Sequence, residues 1–258
     1  MEIDFSKYRM TFDYHTHTIY SPGITKFLPH GKGTMEENVK AAVAKGLDEI
    51  AISDHGPGHM FYGMKKSKIS EMQDEVFRLR EKYPQIKIYF SVEANVLFRK
   101  KGNCLDLNQD EAEYFDFISA GYHLGTRRSN MIGNWSDNHR LTFPNEKRRL
   151  LRENTWMTLK ALRENNIKIL THPGDKGMFD IQLIARTCAE RETWMEINNS
   201  HKHMSVDEIK IAMKEKDVKF VIGSDAHSPE WVGTFEKGLA RAFEAGLSVD
   251  RIVNIVER

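Results

Sequence analysis

Apolar and polar residues follow two alternating patterns along the chain. Short runs of consecutive apolar residues are followed by longer segments in which apolar residues recur every three or four positions. The first pattern is typical of buried strands and the second of amphipathic helices. The strand-like runs span residues 11–15, 49–53, 87–93, 117–123, 168–172, 193–198 and 219–225. Strands that alternate with helices in this way favour a mainly parallel sheet.

Helical segments are predicted between these strands. Thr34 precedes a helix over residues 35–45 as its N-cap, with Glu37 at the capping-box position and Gly46 as a stop. The other helices are predicted over residues 67–82, 145–165, 206–216 and 233–245. Seven strand–helix repeats approach the eightfold (β/α) barrel, so we predict a TIM-barrel-like α/β fold. An open doubly wound sheet is the structural alternative, but such a sheet concentrates its site at one switch point.

Length and composition narrow the picture further. The 258 residues suit one barrel domain, predicted over residues 1–258. The 38 Lys and Arg residues nearly balance the 37 Asp and Glu residues, so the global charge disfavours nucleic-acid binding without excluding it. Cys104 and Cys188 belong to no CxxC motif, which favours a reducing cytoplasm over a disulfide framework. The charged N-terminal segment predicts no signal peptide, and no apolar run reaches the roughly 18 residues of a membrane span.

Histidines and carboxylates collect at the ends of the predicted strands. They are His15, His17, Asp54, His55, Glu93, His123, His172, Asp225 and His227. His15 and His17 are two positions apart, so on a strand they would face one side, and Asp225 and His227 repeat that spacing. Each residue alone has an ordinary explanation, such as a hydrogen-bonded core histidine or a salt bridge. Because imidazole and carboxylate together suit Zn, Mn or Fe, their joint placement predicts one metal centre at the carboxyl end of the barrel.

The same residues stand in a series of short motifs. In chain order the motifs read D-Y-H-T-H-T, S-D-H-G, V-E-A-N, A-G-Y-H, T-H-P-G, E-I-N-N-S and G-S-D-A-H. From residue 13 to residue 227 the series resembles the PHP (polymerase and histidinol phosphatase) family of metal-dependent phosphoesterases, and in particular its stand-alone phosphatase-like members. The resemblance implies a distorted (β/α)7 barrel and a trinuclear centre, with two to three divalent transition metals (Zn, Mn or Fe).

Transferred by motif, the resemblance implies nine metal ligands. They are His15, His17, His30, His55, Glu93, His123, His172, Asp225 and His227. His30 matches through Pro29-His30-Gly31, in the loop before the first helix, and Asp54 is expected behind the ligands. The resemblance assigns one metal to His15, His17, Glu93 and Asp225. It assigns the second to Glu93, His123 and His172, and the third to His30, His55 and His227.

Catalytic roles follow from the same resemblance. Glu93 would bridge two metals, and Asp225 would orient the nucleophile. The leaving-group acid stays open between His227, His203 and a metal-bound water.

Two arginines form a candidate substrate site. Arg127 and Arg128 follow His123 closely. Guanidinium groups suit phosphate oxygens, so this pair is a candidate for binding the substrate phosphate. A solvated pair of surface charges is the ordinary explanation of the same residues.

Four histidines fall outside the ligand set. His59 lies just beyond the D-H-G motif and is expected at the pocket mouth. His139 stands in a polar stretch and is expected at the surface. His201 and His203 follow the sixth predicted strand, where a solvated loop is preferred over contact with substrate.

These patterns predict a metal-dependent hydrolase of phosphate esters. The leading interpretation is a cytoplasmic phosphatase that cleaves a small-molecule phosphate monoester through a metal-activated hydroxide. A phosphodiesterase or exonuclease-like activity is one alternative, and a metal-binding regulatory module without catalysis is another. Histidinol phosphatase is a named possibility, but the loops 21–33 and 126–143 carry no readable signal for the substrate or the oligomeric state.

Overall fold

The computed structural model describes residues 3–25, 29–126 and 129–258. The strands are β1 (Tyr8–Met10), β2 (Phe12–Asp13), β3 (Glu49–Ile52), β4 (Lys87–Asn95), β5 (Phe117–Gly121), β6 (Ile167–Leu170), β7 (Trp194–Asn198), β8 (Phe220–Gly223) and β9 (Ile255–Glu257). The α-helices are α1 (Met35–Ala44), α2 (Ile69–Lys82), α3 (Gln109–Ala112), α4 (Met131–Asn138), α5 (Pro144–Glu164), α6 (Ile181–Glu190), α7 (Val206–Ala212) and α8 (Glu236–Glu244). Short 3-10 helices span Phe5–Lys7, Lys66–Lys68, Pro229–Trp231 and Val249–Arg251.

Strands β2 to β8 form the barrel wall. They lie in chain order in one sheet and pair in parallel throughout. The helices between them bury one face each: α2, for example, buries Ile69, Met72, Val76 and Leu79 at helical spacing. This architecture confirms the predicted seven-stranded (β/α) barrel.

The first and last strands of the ring meet in two different ways. Near their carboxyl ends, Thr16 forms a parallel bridge with Ala226. Lower down, the side chain of buried Asn254 fills the space between β2 and β8. Its Nδ2 donates to the carbonyl oxygens of Phe12 and Ile222 over 2.9 and 2.7 Å, and its Oδ1 accepts from the Ile222 N–H over 3.0 Å. These contacts close the ring, which excludes the open doubly wound sheet.

Aromatic side chains fill the amino end of the barrel interior. Tyr14 packs against rings from other strands, with centroid distances of 4.2 Å to Phe12, 5.3 Å to Tyr89, 5.1 Å to Phe117 and 6.4 Å to Trp194. The polar residues of the interior are therefore displaced toward the carboxyl end, where the barrel opens.

Several elements differ from the sequence-based expectation. Strand β2 has two residues instead of the five predicted over 11–15. One edge of β2 pairs with β3, but on the opposite edge the Phe12 carbonyl oxygen accepts from the Asn254 side chain instead of from a strand. Strand β4 continues to Asn95, so Glu93 lies inside a strand and not at its end.

Three helices were not predicted. Helix α3 is a single turn that begins after Asn108, whose side chain accepts from the Glu111 N–H. The segment 126–143 contains α4, whose Asn134 is held by a reciprocal amide pair with Asn154, so polar contacts replace an apolar stripe. Helix α6 begins after Asp180, whose side chain accepts from the Leu183 N–H.

No helix in the described ranges is long and apolar enough to cross a membrane.

Candidate metal centre

The nine ligand candidates converge at the carboxyl end of the barrel. Seven of them are buried, with exposed fractions of 7% or less: His15, His17, His55, Glu93, His123, His172 and Asp225. The other two, His30 and His227, are half-buried. His15 and His17 follow β2, and both reach the centre, whereas the side chain of Thr16 between them donates to the Ala51 carbonyl oxygen over 2.8 Å.

Glu93 lies at the middle of the cluster. Its Oε1 is 2.8 Å from Nε2 of His172, 3.2 Å from Nε2 of His123 and 3.4 Å from Nε2 of His15. Its Oε2 is 2.9 Å from Nδ1 of His55 and 3.7 Å from Nε2 of His17. Both carboxylate oxygens thus face histidine nitrogens, which is the geometry that a bridging ligand requires.

A second convergence involves three histidines alone. Nε2 of His30 lies 2.7 Å from Nε2 of His227 and 3.0 Å from Nε2 of His55. A neutral imidazole carries one N–H, so three nitrogens that face one another cannot all be satisfied by hydrogen bonds among themselves. A cation between them would resolve this conflict.

Hydrogen bonds behind the rings set their tautomers. Nδ1 of His15 lies 2.6 Å from Oε1 of Glu196, and Nδ1 of His227 lies 2.9 Å from the Asp225 carbonyl oxygen. Since both partners are acceptors, each Nδ1 carries a proton, and each Nε2 is left to face the centre.

His123 is oriented by an amide. Nδ1 of His123 lies 2.8 Å from Oδ1 of Asn95, whose Nδ2 donates to Asp106 over 2.6 Å and to the Gly56 carbonyl oxygen over 3.3 Å. Asp106 also accepts from the Gly58 N–H over 2.7 Å. This network directs the Nε2 lone pair of His123 toward Glu93 and ties β4 to the loop that follows His55.

Asp54 organises the segment that carries the histidine pair. Its carboxylate accepts from the Thr18 N–H over 2.7 Å, from the Thr18 hydroxyl over 2.6 Å and from the Ser21 hydroxyl over 2.7 Å. It therefore stands behind the cluster.

Two members of the cluster have a left-handed backbone. His172 has a φ of 28° and Asp225 a φ of 53°. Such conformations are strained for residues other than glycine and recur at functional sites. The His172 N–H donates to Oε2 of Glu196 over 2.8 Å, which holds this backbone in place.

Burial lowers the pKa values of some histidines in the cluster, and a neighbouring carboxylate raises that of another. Burial lowers the pKa of His30 to about 2 and that of His55 to about 3, and it lowers the pKa of His17 as well. Burial also acts against the charge of His172, but Glu93 outweighs it and raises the pKa of His172 to about 9. The first three rings are neutral at pH 7, as metal ligands must be.

The carboxylates remain ionised despite their burial. Burial raises the pKa of Glu93, but His123 and His15 outweigh it and hold that pKa well below its usual range. Burial likewise raises the pKa of Asp225, and His15 and His17 hold it well below its usual range. The centre therefore has two negative charges available for cations.

The donor atoms fit divalent metal ions. Four sets of three ligand atoms lie within 4.8 Å of one another: His17, His55 and His227; His15, His17 and Glu93; His15, His172 and Asp225; and His55, Glu93 and His123. Buried atoms without a hydrogen-bond partner in the described residues include Nε2 of His15, Nδ1 of His17, Nε2 of His123, Nδ1 of His172 and Oε2 of Glu93. Each unpaired buried atom costs about 1–3 kcal/mol, so this concentration calls for an electrophilic partner.

The cluster lies at the bottom of an open cavity of about 240 Å³. Beyond the ligand candidates, its walls are formed by His59, Tyr62, Leu124, Asp175, Lys176 and His201. Oδ2 of Asp175 lies 2.5 Å from Nζ of Lys176 and 3.5 Å from Nδ1 of His201. Nε2 of His201 is 3.1 Å from Oδ2 of Asp225, so His201 contacts the site, contrary to the solvated loop that we preferred.

The remaining predicted residues have distinct locations. His59 lines the cavity, as expected. His139 is exposed and its Nδ1 contacts the Trp135 carbonyl oxygen. His203 pairs with Glu208 over 3.0 Å and lies outside the cavity lining. Arg127 and Arg128 lie outside the described residues.

Sequence reasoning missed the residues that hold the ligands from behind. Glu196 and Asn198 stand two positions apart in the E-I-N-N-S motif, and Asn95 stands two positions after Glu93. A polar residue at alternating positions of an otherwise apolar strand was the available signal, since alternation places such residues on the face of their neighbours.

Comparisons with known proteins bear on the family of this chain. The model of the PHP domain family matches residues 13–224. A protein named "Probable phosphatase" from Thermoanaerobacter sp. (strain X514) is 29% identical and covers 95% of this chain and 91% of its own length. Another of that name, from Shewanella sediminis, is 27% identical over 94% of this chain and 88% of its own.

Solved structures extend the likeness to the fold. The histidinol phosphate phosphatase of Lactococcus lactis, crystallised with zinc, L-histidinol and phosphate, matches with a TM-score of 0.58 over 93% of this chain and 95% of its own. Its sequence is 18% identical to this one, so the likeness establishes the barrel and not the substrate.

Proposed function

This chain belongs to the PHP domain family, and we propose that it is a metal-dependent phosphatase that hydrolyses a phosphate monoester of a small molecule. The observation that carries the proposal is the position of Glu93, whose two oxygens face five histidine nitrogens at 2.8 to 3.7 Å. A carboxylate in that position can bind two neighbouring cations at the same time, one through each oxygen. The names of the similar proteins support the phosphatase class.

We assign the metals to the nine residues of the cluster. They are His15, His17, His30, His55, Glu93, His123, His172, Asp225 and His227. When bound, two to three divalent ions (Zn, Mn or Fe) would supply the Lewis acidity that activates water and stabilises the charge of the transferred phosphoryl group. The zinc in the Lactococcus lactis enzyme is consistent with this donor set.

The protein itself supplies orientation. The rings of His15, His123 and His227 are fixed through their Nδ1 atoms, so little reorganisation is needed when substrate binds. Asp225 keeps a charged carboxylate at the cavity floor, where it would accept a hydrogen bond from the attacking water. His227 is assigned as a ligand and not as the leaving-group acid, because both of its ring nitrogens are already engaged.

Lys176 would bind the substrate phosphate. It is a cationic side chain on the cavity wall, and Asp175 holds its ammonium group beside His201. An ammonium group attracts the non-reacting oxygens of a phosphate monoester as a point charge. Arg127 and Arg128 remain predicted contributors to the same task.

The experiment is metal analysis joined to a phosphate-release screen. Protein purified without chelator should contain two or three transition metals per chain and should hydrolyse p-nitrophenyl phosphate faster than bis(p-nitrophenyl) phosphate. Sugar phosphates, nucleotides and histidinol phosphate would then identify the leaving group.

Each alternative has its own outcome in this screen. A preference for the diester would favour the phosphodiesterase, and metal binding without turnover would favour the regulatory module. One metal or fewer after supplementation with Mn, Zn or Fe would overturn the multinuclear centre.

A further inference from the structure

His30 is held differently from the other half-buried histidine of the cluster. His227 is fixed by a hydrogen bond from Nδ1 to a carbonyl oxygen. The hydrogen-bond contacts of His30 in the described residues involve Nε2, the atom that faces His55 and His227. Its ring instead stacks on Tyr62, with a centroid distance of 3.8 Å and an interplanar angle of 8°. The orientation of the His30 ring therefore depends on stacking against the face of the Tyr62 ring.

Tyr62 has a second stacking partner. Its ring lies 4.6 Å from that of His59 at an interplanar angle of 14°. One face of a six-membered ring accommodates one stacked neighbour, so Tyr62 lies between His30 and His59. The three near-parallel rings form one continuous stack at the edge of the cavity.

His59 is the rigid end of this stack. Its Nδ1 accepts from the N–H groups of Phe61 and Tyr62 over 3.3 and 3.0 Å, and its Nε2 therefore carries the proton that it donates to the Leu124 carbonyl oxygen over 2.9 Å. With both nitrogens engaged, His59 is not available as a metal ligand. Gly125 lies beside this ring: its φ of 99° favours glycine, and a Cβ atom at this position would lie 3.0 Å from Cε1 of His59.

The backbone beneath Tyr62 is equally constrained. The loop after β3 is closed by hydrogen bonds from the Gly63 N–H to the His59 carbonyl oxygen over 3.2 Å and from the Met64 N–H to the His55 carbonyl oxygen over 2.9 Å. Met64 is buried at 1% exposure and anchors the end of the loop. Tyr62 is thus presented by a rigid segment that also carries the ligand candidate His55.

We propose that Tyr62 is a positioning residue that orients His30 and thereby sets the affinity of the centre for the ion shared by His30, His55 and His227. This inference rests on the proposed metal-dependent function. A stacked aromatic pair corresponds to about a twofold to tenfold change in an equilibrium constant. Loss of a group that orients a ligand typically costs tenfold to a hundredfold in metal affinity. Removal of the ring should therefore weaken one ion by about tenfold and leave the others unchanged.

The test is a calorimetric titration of the chelator-treated full chain with Zn²⁺ alone. Elemental analysis then counts the ions that stay bound. Tyr62→Leu should retain the tighter ions and bind one ion about tenfold more weakly. Tyr62→Phe keeps the ring and should bind like the wild type. Phe61→Leu is the matched control, because Phe61 is a neighbouring aromatic residue, 44% exposed, on the same loop; it should also bind like the wild type.

A His30→Ala background separates positioning from general damage. If Tyr62 acts through His30, Tyr62→Leu should have no further effect on zinc binding in that background. A further tenfold loss there, an equal weakening of every ion, or wild-type binding by Tyr62→Leu alone would overturn the inference. A Tyr62→Phe loss as large as that of Tyr62→Leu would also overturn it, since the hydroxyl and not the ring would then matter.

The wild-type titration tells the two proposals apart. If wild-type protein binds two or three ions and releases phosphate while Tyr62→Leu binds normally, only the role of Tyr62 is wrong. If wild-type protein binds no zinc, the proposed function fails and the role of Tyr62 fails with it.

Discussion

Oε1 of Glu196 lies 2.6 Å from Nδ1 of His15, and both side chains are buried. The other oxygen of Glu196 accepts from the His172 N–H over 2.8 Å and from Nδ2 of Asn198 over 3.0 Å. Glu196 therefore holds two ligand candidates from behind, one by its ring and one by its backbone. A carboxylate on the outer nitrogen of a ligating histidine fixes the tautomer and raises its basicity.

Replacement of this carboxylate should weaken the metal centre without unfolding the barrel. Glu196→Gln keeps the size of the side chain and an acceptor oxygen but removes the charge that supports His15. We expect metal affinity to fall by about tenfold to a hundredfold. Competition with a chromophoric chelator measures the affinity, and exposed Glu257→Gln is the control. Unchanged metal affinity in Glu196→Gln would show that the charge of Glu196 does not support metal binding.

Substitutions at the floor of the cavity should lower phosphatase activity far more than a substitution at the surface. Glu93→Gln removes a charge placed among five histidine nitrogens, and Asp225→Asn replaces a carboxylate by an amide, a poor metal ligand. Loss of such a ligand costs several kcal/mol of transition-state stabilisation, and each 1.36 kcal/mol is about tenfold in rate. We expect at least about a hundredfold loss of phosphatase activity for either change.

His139→Ala should be nearly neutral in the same assay. His139 is exposed and contacts the Trp135 carbonyl oxygen, away from the cavity. The comparison requires kinetics and metal content on folded protein of matched concentration. If His139→Ala is as damaging as Glu93→Gln, the site has been placed on the wrong residues.

Most of the ligand candidates could be found in the sequence because metal chemistry restricts the residue types and their spacing, whereas His30 was assigned only through the family resemblance. His15 and His17, or Asp225 and His227, stand out as pairs whatever the exact strand boundaries are. The barrel followed from the alternation of strands and helices, because that periodicity is local.

The supporting residues could not be found in the same way. Glu196 meets His15 across a sequence separation of 181 residues, so their contact depends on how the ring closes. Tyr62 shows the same limit, since nothing local distinguishes a ring that stacks on His30 from a ring that packs in a core. Residues that act through long-range packing carry no local pattern.

The metal-free protein should be most stable near pH 6.5. The pKa of His172 is raised to about 9 despite burial, because of Glu93, so its stabilising effect is complete below pH 6.5 and is lost as the pH rises toward 9. The pKa values of His30 and His55 are lowered by burial to about 2 and about 3. Because the unfolded chain binds protons at these positions first, stability also falls as the pH drops below 6.5.

Thermal unfolding of chelator-treated protein between pH 5 and pH 9 checks this expectation. Bound metal should reverse the alkaline part of the profile, because a metal replaces the proton on His172 and binds more tightly as protons become scarce. For the same reason, phosphatase activity should fall from pH 8 to pH 5. A metal-free midpoint that rises steadily up to pH 9, or an activity maximum near pH 5 at saturating metal, would contradict this account.

Closure of the barrel should depend on Asn254. This buried side chain makes three hydrogen bonds to the backbone of Phe12 and Ile222, between the first and last strands of the ring. Asn254→Ala leaves those backbone groups unpaired, and each costs about 1–3 kcal/mol. We therefore expect the free energy of unfolding to fall by about 3 kcal/mol or more in urea titrations. Exposed Asn138→Ala should change it little, since the contact of Nδ2 of Asn138 with the Lys176 carbonyl oxygen is long, at 3.4 Å, and lies at the surface. If Asn254→Ala were no more destabilising than Asn138→Ala, the ring would be held by the bridge between Thr16 and Ala226 without the help of the asparagine.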